Sequence, residues 1–279
     1  MTARTIREVL PAQSSRDGDG VAIQRIAGMQ HAGMDPILMI DELRSEYRED
    51  FEGGFPSHPH RGMQTLTYMK HGGLIHEDNQ GNRGEIRGGG AQWMSAGRGI
   101  IHSEMPTQDS SGLHGFQLWV NLPAAEKMSA PRYRDIPAQD LQTLNGSGFR
   151  ATAVAGRWGI DGAEITGPLE ELAPRAGVLD LELEAGAAIE LDTDPGHSVI
   201  GYVYGGSVQH AGAELGARQL LITDSGESWT LQAGAGGARL LILRGQPLRE
   251  PVAQYGPFVM NTAEEIEQAI SDYQSGSFV

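Results

Sequence analysis

No apolar stretch of this chain runs far before a glycine or a proline interrupts it. The 279 residues include 39 glycines and 14 prolines. Short, punctuated apolar runs suit strands joined by turns far better than helical layers, so the pattern predicts an all-β architecture. Strands are expected at 21–26, 36–40, 63–70, 92–95 and 116–121, and again at 151–155, 178–183, 198–204, 219–223 and 238–243. At 116–121, Phe116, Leu118 and Val120 should face one way and Gln117, Trp119 and Asn121 the other. Between the two groups, "PAAEKMSAPRYRDIPAQDLQTLNGSG" (123–148) turns polar and loses periodicity, as a connection between domains would. The length is comfortable for two domains of ordinary size, with expected limits of 1–130 and 131–279.

One helix is expected, in "TAEEIEQAISDYQSG". Thr262 and Glu265 have capping-box spacing, Ile266, Ala269, Ile270 and Tyr273 form an apolar stripe, and Gly276 follows as a stop. A weak echo relates "TYMKHGGLIH" (67–76) to "VYGGSVQH" (203–210): strand, glycine turn, strand, histidine. Two β-barrels of similar construction would account for it.

Composition then removes whole classes of function. There is no cysteine, which rules out disulfides, thiolate metal sites and cysteine nucleophiles. A formal net charge of −15 with no basic cluster disfavours direct nucleic-acid binding and leaves room for a protein partner. "MTARTIREVLPAQ" lacks the apolar core of a signal peptide, and no apolar run could span a bilayer, so the reading is a soluble cytoplasmic protein without membrane contact.

Chemistry concentrates in two short stretches. In "GGFPSHPHRGMQTL", proline separates His58 from His60 and pushes the preceding residue toward extended geometry. An extended backbone sends residues i and i+2 to one side, so both imidazoles aim at one point. In "GRGIIHSEMP", His102 and Glu104 repeat that spacing after glycines. Paired across a small barrel, the two stretches would present three imidazoles and a carboxylate to one interior. The plainer alternative places His102 in a hydrogen-bonded core and Glu104 at a solvated strand end. With no thiolate available, such a site suits iron, manganese, nickel or copper at least as well as zinc. His76, Glu77 and Asp78 cannot all converge because neighbours alternate faces, and an exposed loop is the expected place for His76. His197 and His210 are unpaired, so the second half is read as metal-free.

"GGFPSHPHRGMQTLTY", "HEDNQGN", "QWMSAGRGIIHSEMP" and the late "GQPLREPVAQYGPFVMNTAEEIEQAISDYQSG" together resemble the pirin family of the cupin superfamily. The resemblance implies two cupin-type β-barrels (a bicupin) with a short C-terminal helix. It also implies one divalent metal in the N-terminal barrel, iron(II) first, with manganese, nickel, copper and zinc as alternatives. The ligands it implies are His58, His60, His102 and Glu104. Cupins in general place a glutamate four positions after the second histidine; Gln64 stands there in this chain. Bacterial pirin-like proteins are associated with quercetin 2,3-dioxygenase activity, which implies a flavonol and O₂ as substrates, carbon monoxide as a product, and Glu104 as ligand and base. The rival expectation is an iron-dependent regulator that binds a transcription factor or metabolic enzyme without turnover.

Overall fold

Every strand expected from the apolar runs forms, mostly with a longer reach. The computed structural model describes residues 2–279. Met63–His71, Leu113–Asn121, Gly177–Leu183 and Ser198–His210 are four of its strands, and Ala263–Ser275 is the one α-helix among the described residues. No described helix is long and apolar enough to cross a membrane.

The chain forms two compact units, but not by a single cut. One unit takes 14–30, 37–139 and 248–279; the other takes 2–13, 31–36 and 140–247. The expected limits of 1–130 and 131–279 therefore differ from these units at both ends. Ile6–Pro11 pairs with Gln219–Thr223 and so adds an edge strand to the second unit. The C-terminal tail and its helix belong with the first unit, not with the second. The expected connection at 123–148 does hold the boundary, at 139/140, but it also carries the strands Arg132–Ile136 and Gln142–Gly146.

In the second unit, eleven strands form one continuous sheet system. Its interior is filled by Trp158, Leu179, Leu181, Trp229, Leu240 and Ile242, all buried. Arg4 ties down the chain start, donating to the Asp194 and His197 carbonyls and to the Thr193 and Thr223 hydroxyls.

The first unit packs a seven-stranded sheet against a four-stranded one. The larger runs in the order Arg132–Ile136, Ala91–Ser95, Met63–His71, Leu113–Asn121, Ile37–Ser45, Val21–Ala27, Gln13–Asp17; the smaller is Phe55–His60, Ile100–Pro106, Gly73–Asp78, Arg83–Arg87. Leu74 and Ile86 of the smaller sheet join Val21, Leu43, Met69 and Leu113 of the larger in an apolar cluster. The chain crosses between sheets at glycines. Gly72, at φ +74°, turns Met63–His71 into Gly73–Asp78, and a Cβ there would meet the Gly112 carbonyl at 2.5 Å. The echo at 203–210 is built differently: Ser198–His210 is one strand, with register breaks around Gly205 and Gly206.

The terminal helix has the expected capping box, and Gly276 closes it in the left-handed region. Ile266 and Ala269 are buried against Phe258, Met260 and Phe278, with Ile270 partly buried alongside. Tyr273 is 41 % exposed; Phe278, beyond the helix, takes the buried place expected of it. Arg61 clamps the tail, bonding Asp272 at 2.7 Å and lying 4.4 Å over the Phe278 ring.

Truncation before Thr262 should therefore lower the melting temperature of the whole first unit. Ile266→Ala alone should cost about 2 kcal/mol, the low end for a buried isoleucine because one side of the helix can relax. Thermal unfolding checks both; an unchanged midpoint after truncation would make the helix a free tail.

Candidate metal centre

Phe55–His60 lies at the edge of the four-stranded sheet, where Pro56 and Pro59 remove no needed hydrogen-bond donor. Its one neighbour is Ile100–Pro106, in a register that sets His102 directly opposite His58 and Ile100 opposite His60. Facing residues in an antiparallel pair share a side of the sheet. Three imidazoles on two strands are thereby brought together: one ligand atom from each of His58, His60 and His102 lies within 4.8 Å of the others. The ring centroids of His58 and His102 are 4.4 Å apart.

The outer ring nitrogens show which atoms face inward. His58 Nδ1 lies 2.8 Å from the Pro56 carbonyl, and His60 Nδ1 lies 3.3 Å from the Pro257 carbonyl. A carbonyl can only accept, so each Nδ1 carries the proton and each Nε2 is left with a lone pair. Those two Nε2 atoms are 3.0 Å apart. The third, His102 Nε2, is buried with no hydrogen-bond partner. Lone pairs crowded together and a buried orphaned nitrogen are costly unless a cation sits among them. The residues therefore fit a metal bound through three Nε2 atoms.

Electrostatics points the same way. Burial, then the neighbouring His58, pushes the His60 imidazole down to about 3, against a weaker opposing pull from the Pro257 carbonyl. Burial, then His60, His58 and His76, holds His102 well below the ordinary histidine range. Both rings are neutral at pH 7, the form that ligates metals.

Glu104 is buried on the same cavity wall, and a register shift after His102 sets it opposite Phe55. It lies outside the cluster of three histidines. Gln117 Nε2 donates to its Oε2 at 2.8 Å, and Thr67 Oγ1 lies 2.9 Å from its Oε1. A cavity of about 720 Å³ opens beside these groups, with Met29, Met39 and Trp119 on its apolar side and Arg25 and Asp41 on its polar side. Trp119 stands edge-on to His60 at 5.2 Å.

Strand alternation decides three further placements, and that of His76 differs from expectation. Gln64 shares a strand face with Leu66 and Tyr68, opposite the face that carries Thr67, so it is buried away from the cavity. His76 is not on an exposed loop but 1 % exposed, with its Nδ1 3.2 Å from His102 Nδ1. Glu77 alone of its trio points outward, pairing with Arg83. Thr67, Gln117 and Pro257 had no sequence signal of their own. The alternation in "HED" did carry one for His76 and Asp78, since it sets them on one face together.

Metal analysis should find one metal per chain in the wild type and loss of binding in a His58→Ala/His102→Ala double variant; full occupancy there would refute the site. In the metal-free protein the unfolded chain takes up protons that buried His60 and His102 refuse. Their contribution to stability is complete above pH 6.5 and falls away as pH drops toward 3, the value set by His60. His60→Gln should flatten that acid slope in chemical-denaturation series, and an unchanged slope would contradict the neutral-imidazole account.

Two family models cover most of the chain: Pirin matches residues 20–120, and the Pirin C-terminal cupin domain matches 178–279. A Vibrio cholerae protein named "Putative quercetin 2,3-dioxygenase" is 46 % identical over 276 residues, covering 99 % of this chain and 98 % of that one. A pirin-like protein of Caulobacter vibrioides is 40 % identical over 282 residues, with full coverage of both. The crystal structure of quercetin 2,3-dioxygenase from Acinetobacter baumannii superposes with a TM-score of 0.89 at 30 % identity, over 99 % of this chain and 98 % of that one. With its paired sheets, its tail folded back on the first unit and these relatives along its full length, the chain belongs to the pirin family and has the two-domain pirin/cupin fold.

Proposed function

We propose that this protein is a metal-dependent dioxygenase that opens flavonols such as quercetin with O₂, releasing carbon monoxide and a depside. His58, His60, His102 and Glu104 would hold one divalent metal, iron(II) first among the candidates. When bound, the metal supplies Lewis acidity toward the flavonol oxygens and a redox partner for O₂. The names of the Vibrio and Acinetobacter relatives support the flavonol. The cavity volume lies within the range of about 300–1,000 Å³ usual for small-molecule sites. Trp119, Met29 and Met39 offer an apolar surface to a flat aromatic ring system.

The single observation that carries the reading is the cradle around Glu104. A flavonol must lose its 3-hydroxyl proton before its ring can be opened, and a buried carboxylate on the cavity wall is placed to take it. Thr67 Oγ1 sits between Glu104 Oε1 at 2.9 Å and Gln117 Oε1 at 2.5 Å. One hydroxyl has a single proton and cannot donate to both oxygens. Both contacts become hydrogen bonds once Glu104 is protonated: its new O–H donates to Thr67, and Thr67 donates to Gln117. The cradle can thus hold Glu104 in its protonated form once it has taken the substrate's proton.

Glu104→Gln should reduce quercetin turnover per bound metal by about 10²–10⁴-fold, the usual contribution of a general base. Aerobic turnover by the iron(II)-loaded protein, with carbon monoxide detected as product, measures it. Equal rates per metal would remove Glu104 as the base. No consumption of any of several flavonols by the loaded wild type would instead favour the regulatory protein that acts by binding a partner.

A further inference from the structure

His102 is the one ligand candidate whose outer nitrogen meets no carbonyl. Its Nδ1 faces another imidazole nitrogen, His76 Nδ1, at 3.2 Å. Exactly one proton must lie between two such atoms for the contact to be favourable, and the choice decides whether His102 Nε2 is a lone pair or an N–H. The answer comes from the far side of His76. Its Nε2 lies 3.2 Å from Asp78 Oδ2. The Asp78 side chain is fully buried and its orientation is locked by the turn that follows: Oδ1 accepts from the backbone N–H groups of Gln80 and Asn82 at 2.9 Å each, and Oδ2 from the Asn82 side-chain amide at 2.9 Å. A carboxylate only accepts, so His76 carries its proton on Nε2 and presents a lone pair at Nδ1. His102 must then donate from Nδ1, which leaves His102 Nε2 as the lone pair aimed among the three imidazoles. The Tyr133 ring packs against that of His76, with centroids 4.6 Å apart and planes tilted by 31°.

We infer that Asp78 and His76 are positioning residues that set the tautomer of His102 and so make its Nε2 a metal ligand. The inference rests on the reading of His58, His60 and His102 as a metal centre. It assigns work to two residues that touch neither cavity nor metal. All of the groups lie on one face: Asp78 and His76 are two apart on Gly73–Asp78, and they pair in register with His102 and Glu104 respectively.

Asp78→Asn is the diagnostic variant, because the turn dictates how an asparagine would sit. Two backbone N–H groups require an oxygen at the Oδ1 position, so the new amide nitrogen would face His76 Nε2. A donor there forces the His76 proton onto Nδ1, which in turn moves the His102 proton onto Nε2 and blocks the ligand. Replacing the outer partners of metal-binding histidines typically costs about 10–100-fold in affinity. Zinc affinity, measured by chelator competition on the full chain, should fall by that factor in Asp78→Asn and in His76→Leu. His76→Gln keeps an oxygen that can accept from His102 and should stay within a few-fold of wild type, and Glu77→Gln on the outer face should not differ from it. The cobalt(II) absorption spectrum should shift in the first two variants. Nitrogen-15 NMR of wild-type imidazoles, metal-free and zinc-loaded, needs no variant to fold. It should find His102 protonated at Nδ1 and His76 at Nε2. A His102 proton on Nε2 in the metal-free protein, an imidazolium at His76, or wild-type affinity in Asp78→Asn would each overturn the relay while leaving the metal centre standing. Failure of the wild type to bind any metal would sink both.

Discussion

The antiparallel pairing of Phe55–His60 with Ile100–Pro106 is the constraint on which the rest of the site depends. It sets His102 opposite His58 and carries His60 and Glu104 to the same side. A one-residue slip would turn His58 and His60 to the face opposite that of His102 and Glu104. The register is held from both flanks. Ile100–Pro106 also pairs with Gly73–Asp78, and Gly62 lets the chain leave the edge strand at φ +80°, where a Cβ would strike the Val259 carbonyl.

Residues far along the chain complete what the two strands begin. Pro257 orients His60 through its carbonyl, and it sits in the tail that folds back onto this unit. That tail is anchored by Lys127, whose ammonium uses its three protons on the carbonyls of Gly62 and Val259 and on the Asn121 side chain. Burial draws the lysine down to about 8, against the pull of Glu250 and Glu265, so it remains a cationic peg at pH 7. Gly62, two residues beyond His60, meets both the lysine and the tail. The terminal helix, Lys127 and the histidine pair are thus parts of one mechanical unit.

Much of this was legible in the residues, for reasons that can be named. The extended geometry that proline imposes put His58 and His60 on one side, and the same i, i+2 spacing put His102 and Glu104 on one side; both are local rules. The capping box and glycine stop of the helix are local too. What escaped was set by tertiary partners. No pattern in 255–260 announces that Pro257 will reach a histidine nearly two hundred positions earlier, or that the chain start will become an edge strand of the other unit. His76 looked exposed because it stands amid polar neighbours, whereas alternation turns it inward and Glu77 outward. Tyr273 followed the helical stripe, but Phe278 reaches the cluster from beyond the helix end and takes the buried place.

The metal centre requires three Nε2 atoms to converge on one cation. The direct measurement is the anomalous scattering of a crystal of the full chain loaded with iron(II) or nickel(II), collected at the metal edge. One strong peak is expected in the first unit, about 2.0–2.2 Å from the Nε2 atoms of His58, His60 and His102, distances usual for imidazole ligation. A peak bonded through any Nδ1, or one lying away from these three rings, would contradict that convergence.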